Sequence, residues 1–112
     1  MRSGIVVLHS RQALLRDLVR HILEPDFEVL DEDAWRARQE QSAPPAPAGI
    51  HLLIAPPDEM PQDAALLARQ IAAPTVIILG GDGRWGARVR DGVVQQLLVD
   101  LAPESLRELV RG

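Results

Sequence analysis

The basic side chains of this chain number twelve and all of them are arginine, with no lysine anywhere. There is no cysteine either, which excludes disulfides, thiolate metal sites and cysteine nucleophiles. His9, His21 and His51 have no metal-ligand spacing. His21 lies near the C-terminal end of a helical pattern, where an imidazole suits the last carbonyls. His9 and Ser10 are adjacent in an extended stretch, so their side chains point to opposite sides and do not pair as base and nucleophile. Neither a metal nor a cofactor is expected. Gly80-Gly81-Asp82-Gly83-Arg84-Trp85-Gly86 is glycine-rich, yet it lacks both the GxGxxG order before a first helix and the lysine of a P-loop, so it reads as a flexible turn. What remains is a pattern of charge. Arg84 and Arg88 are four apart and share a face if their segment is helical, while Asp100, Glu104 and Glu108 line the next strand end and helix. Opposite signs on one patch can complement themselves across a two-fold axis, with Trp85 as aromatic anchor, or they can simply solvate the surface.

The elements that must position these residues follow from apolar periodicity. Short apolar runs at Ile5 to Leu8, Phe27 to Leu30, His51 to Ala55, Thr75 to Leu79 and Val94 to Val99 predict five strands. Ile5-Val6-Val7-Leu8 is apolar on both sides, as a central parallel strand covered by helices should be. Ser10 is the expected N-cap of a helix carrying Leu14, Leu15, Leu18, Val19, Ile22 and Leu23 up to Pro25. Asp31-Glu32-Asp33 suits the start of a second, weakly held helix whose large apolar residue is Trp35. Ala43 to Gly49 reads as a proline-rich connector. Asp63 is placed to cap a helix with Leu67 and Ile71 inward before Pro74. Arg84 to Arg90 is expected to be a short helix stopped by Asp91-Gly92, and Pro103-Glu104 to open a last helix with Leu106, Leu109 and Val110 inward. Strands alternating with helices imply a doubly wound, flavodoxin-like α/β domain, a five-stranded parallel sheet of order 2-1-3-4-5 between two helical layers. Ligands of such a sheet bind at the carboxyl ends of its strands.

A chain of 112 residues has room for one core, so residues 1–112 are expected to form a single domain. The last helix stops at Gly112 after about two turns, which suits the N-terminal module of a longer protein. A net charge of −4 gives no attraction to nucleic acid, and neither a signal-peptide stretch nor a membrane span is visible. Together with the missing cysteine this points to the cytoplasm.

The order of elements, the Met60-Pro61 pair after the third strand and Asp91-Gly92 before the fifth together resemble the receiver domain of bacterial response regulators, over nearly the whole chain. That resemblance implies a phosphorylation pocket at the strand ends, and here its residues depart from the family pattern together. His9 and Ser10 stand where two acidic magnesium ligands belong, Pro56 or Pro57 where the phosphate-accepting aspartate belongs, and Gly80 where a threonine or serine belongs. Gln96 replaces the aromatic switch residue, and Val99 or its neighbour Leu98 replaces the lysine. Asp58, one or two residues further on, could act as a shifted acceptor in a rearranged loop, against which the missing lysine counts. Phosphoryl transfer relies on positioned charge, so this pocket should be inert. The resemblance also implies dimerisation through the α4-β5-α5 face, which would hold Arg84, Trp85, Arg88, Asp100, Glu104 and Glu108. The expectation is a degenerate, phosphorylation-independent receiver-like module that regulates a transcriptional or signalling output by dimerising or docking, and is not an enzyme. Its rivals are a small-ligand-binding module, a small flavodoxin-like enzyme and a standalone adaptor.

Overall fold

The computed structural model describes residues 4–9, 13–41, 50–56, 58–71, 73–81 and 84–111. Its strands are β1 (Ile5–His9), β2 (Glu28–Asp31), β3 (Ile50–Ile54), β4 (Thr75–Leu79), β5 (Trp85–Arg90) and β6 (Val93–Val99). Its helices are α1 (Ala13–Leu23), α2 (Glu32–Gln41), α3 (Ala64–Ala68) and α4 (Pro103–Arg111), with a 3-10 turn at Pro61–Asp63. The strands form one six-stranded sheet of order β2-β1-β3-β4-β5-β6. Pairings from β2 to β4 are parallel, and those of β5 with β4 and with β6 are antiparallel. The expected five-stranded, all-parallel sheet is therefore corrected to a six-stranded mixed one.

The correction lies in one segment. Arg84 to Arg90, expected as a helix, is the strand β5, because Trp85, Ala87 and Val89 alternate inward against a buried cluster at a period of two. Asp91-Gly92 does not stop a helix. Both residues have positive φ, 53° and 81°, and they join Arg90 to its partner Val93 as a two-residue hairpin turn of the kind that asparagine or aspartate followed by glycine favours. With no helix between β4 and β5, the α4-β5-α5 face inferred from the family does not exist.

Side-chain alternation divides the core between the two faces of the sheet. Val6, Leu8, Val29, Leu52, Ile54, Ile77 and Leu79 pack with Val19, Ile22 and Leu23 of α1 and Leu106, Leu109 and Val110 of α4. The three inward positions expected of the last helix are all buried. On the opposite face, Val76, Ile78, Trp85, Ala87 and Val89 pack with Ala64, Leu67 and Ala68 of α3. This short helix ends at Ala68, so Ile71 packs against that cluster from beyond it. Asp63 occupies the N-cap of α3 without a capping side-chain hydrogen bond. Asp31 caps α2 by accepting the Ala34 N–H at 2.7 Å, but α2 buries none of its residues, in keeping with its weak pattern. Ser10 and the Ala43 to Gly49 connector lie outside the described residues.

Arginines fasten the helices to the frame. The Arg88 guanidinium donates to the carbonyls of Leu109 and Val110, both at 2.9 Å, at the C-terminal end of α4 where unpaired carbonyls attract a cation. Arg107 donates likewise to the Ile22 carbonyl at the end of α1, at 3.1 Å, and Arg111 pairs with Asp26 at 2.6 Å.

Candidate functional site

The strand ends expected to carry a pocket are occupied by packing groups. Gly80 is buried, and a Cβ built on it would lie 2.4 Å from the Trp85 indole nitrogen, so glycine is needed for the ring to lie there. Trp85, only 4% exposed, belongs to the core and cannot anchor a surface contact. The antiparallel β5 takes the place next to β4, which pushes Val99 outward to pair with Trp85 at the sheet margin, 66% exposed. Pro56 and Asp58 are exposed in the loop after β3, and Pro57 lies outside the described residues. His9, the loop after β3 and Gly80 lie at the same end of the parallel strands, with Ser10 outside the described residues. The charge patch does not assemble as expected. Arg88 caps α4, Asp100 lies in a left-handed turn with φ 54°, and Glu104 and Glu108 are exposed on α4. Arg84 is exposed just ahead of β5 and not on a helix.

A different constellation appears on the α2 and α3 side. Val7 pairs with His51 and His9 with Leu53 in the β1-β3 register, which sets His9 and His51 on one face, diagonal to each other. His9 Nε2 lies 2.8 Å from His51 Nδ1, with the rings stacked at 5.1 Å between centroids. Glu32, at the start of α2, places a carboxylate oxygen 3.0 Å from His9 Nδ1. A carboxylate there selects the His9 tautomer with the proton on Nδ1. His9 Nε2 then accepts from His51 Nδ1–H, and His51 Nε2 is left as the lone pair. Burial, and secondarily the neighbouring His9, hold His51 below its usual pKa, which favours the neutral ring. The Trp35 and His51 rings stand nearly perpendicular, with their centroids 6.5 Å apart. Gln70 and Ile71, just past α3, complete an open cleft of about 450 Å³ lined also by His9, Glu32, His51 and Leu53. It exists because the barely buried α2 and the five-residue α3 leave the floor between them uncovered. Among the described residues no three histidine or acidic side chains converge to hold a metal ion. The adjacency of His9 and His51 escaped sequence reading because it depends on strand register. Its signal was a histidine at the end of one parallel strand and another in the strand that became its neighbour.

The sheet margin gathers several exposed apolar residues. β6 reads Val93-Val94-Gln95-Gln96-Leu97-Leu98-Val99, with every residue exposed except the partly buried Leu98. Val93, Val94, Leu97 and Val99 are 60, 41, 47 and 66% exposed. The strand carries no charge and no proline, the usual devices that blunt a free edge. The opposite margin is protected. There β2 is only four residues long, bears Glu28 and Asp31 at its ends, and has Glu28 paired with Arg38 of α2. A smaller apolar groove of about 140 Å³ runs between α1 and the start of α4, lined by Leu15, Leu18, Leu101 and Leu106.

These elements make a mixed α/β fold in which, among the described residues, β6 stands at an unpaired sheet edge. Compared with protein-family models, with curated proteins and with solved structures, the chain matches none of them. Among the described residues no helix is long and apolar enough to cross a membrane.

Proposed function

We propose that the chain is a non-catalytic regulatory module of the cytoplasm, independent of phosphorylation, that acts through protein contact at the β6 edge. The observation that carries this reading is the uncharged, solvent-exposed strand Val93–Val99, whose outer backbone groups, unpaired among the described residues, are a template for another strand. The residue types at the strand ends support the non-catalytic part, since phosphoryl transfer needs an acceptor, a metal and a cation brought together. The contact surface is accordingly moved from the helix-bearing face expected at first to the sheet margin. A second reading, a site for a small ligand, is favoured by the cleft over His9 and His51, where the His51 Nε2 lone pair is available to a donor.

The test is genetic and chemical together. Leu97→Lys in the native gene should abolish the regulated output as deletion does, while Asp58→Ala should leave it intact. Acetyl phosphate with magnesium should leave the intact mass of the protein unchanged. Normal output from Leu97→Lys, or a phosphoryl adduct on Asp58, would overturn the proposal.

A further inference from the structure

We infer, building on the reading of β6 as the contact element, that its partner is β6 of a second copy, paired antiparallel with Leu98 on the two-fold axis. The direction of the backbone groups leads to this register. The Asp100 N–H donates to the Arg84 carbonyl at 2.7 Å, and on the other side of β5 the Gly80 N–H donates to the Trp85 carbonyl at 2.9 Å. Hydrogen-bonded and non-hydrogen-bonded pairs alternate along an antiparallel ladder. With Gln96 paired to Arg88 and Leu98 to Gly86, the N–H and C=O groups of Gln96 and Leu98 therefore point inward to β5. Those of Leu97 and Val99 point out from the sheet. In an antiparallel copy Leu97 meets Val99 and Val99 meets Leu97, which closes four hydrogen bonds.

The side chains agree with that register. Leu97 and Val99 stand opposite Ala87 and Trp85, so both project on the α3 side, and each would find an apolar neighbour across the joint. Leu98 faces itself on the α4 side. Asp100, the first charged residue past the strand, falls opposite the neutral Gln96 of the other copy, so no like charges meet. Between Val94 and Gln96 the ladder shifts by one residue, which makes Gln95 a bulge. A long foreign strand would lose register at that bulge. A second copy needs only the regular stretch from Gln96 to Val99, and an isologous contact is self-complementary by construction.

The chain has no cysteine, so single cysteines report the geometry directly. A non-hydrogen-bonded pair on the axis brings Cα atoms to about 4.5 Å, within disulfide range. Leu98→Cys should therefore convert to a covalent dimer under mild oxidation, while Val94→Cys, away from the axis, should remain largely single. In sedimentation velocity the wild type should run as a dimer. Leu97→Lys and Leu97→Pro should run as monomers with unchanged circular dichroism, because proline removes only an outward N–H. A monomeric wild type, or equal crosslinking of the two cysteine variants, would overturn the inference. If the wild type is monomeric while Leu97→Lys still abolishes regulated output, only the second-copy inference falls. If Leu97→Lys leaves output intact, the contact reading falls as well.

Discussion

Gly80→Ala tests the reversal of the chain after β4. In the structure the added methyl would lie 2.4, 2.6 and 2.8 Å from three atoms of the Trp85 ring. Ordinary carbon contacts lie at about 3.5 to 4.0 Å, so ring or backbone must retreat by about 1 Å in a packed interior. Such overpacking costs about 1–3 kcal/mol. Gly80 does not have a positive φ, so alanine carries no backbone penalty there and recovers about 0.4–1 kcal/mol by restricting the unfolded chain. The net expectation is a loss of about 1–2 kcal/mol, or a fall of about 4–8 °C in Tm for a domain of this size. The assay is a double-mutant cycle by thermal melting. Gly80→Ala in a Trp85→Leu background should be neutral or slightly stabilising, because the clash has gone. An equal cost in both backgrounds, or no cost in the wild type, would refute the packing of Trp85 on Gly80 and with it the β4-β5 reversal.

Other outcomes follow from single contacts. His51 is held below its ordinary pKa of about 6.5 by burial and by His9, so the unfolded chain takes up its proton at higher pH than the folded one. Folding stability should therefore fall as pH drops through about 6.5 toward the folded value, and His51→Gln should flatten that fall in a Tm-against-pH series; an unchanged slope would refute the assignment. Arg88→Met removes both hydrogen bonds to the end of α4 and should cost about 1–2 kcal/mol in chemical denaturation, whereas an exposed arginine of a dimer patch would cost nothing. Glu32→Gln should shift the His9 imidazole NMR signals by removing the carboxylate at Nδ1, and unchanged signals would show that the contact is absent in solution.

The parallel half of the fold was legible because its signals were strong and local. β1, α1, β4 and α4 lie where apolar periodicity, Pro25 and Pro103 put them. The Arg84 to Arg90 segment was ambiguous in kind. Its four-residue arginine spacing suits a helix, while the Trp85, Ala87 and Val89 alternation suits a strand, and seven residues are too few for periodicity alone to decide. Asp91-Gly92 was the better guide, since that dipeptide between apolar runs signals a hairpin, and the family resemblance drew it into a helix stop. The departure of the strand-end residues from the receiver pattern was readable from residue types alone. The His9 and His51 pair was not, because 42 residues separate them and only register brings them together.

The two corrections on the β5 side are one event seen at both ends of a strand. A parallel connection after β4 needs a crossover of a dozen or more residues, usually with a helix to cover the sheet. Here the chain turns back at Gly80 and supplies two strands instead, so the sheet widens while, among the described residues, that face is covered by α2 and the five-residue α3. At the top of the sheet this seats Trp85 over Gly80, where a ligand would otherwise meet the strand ends. At the margin it leaves β6 with no charge of its own and with Leu97 and Val99 offering backbone groups that are unpaired among the described residues. Placing a charge there with Leu97→Lys should leave the Trp85 packing intact, so the proposed contact can be tested separately from the fold, by a lost contact with an unchanged Tm.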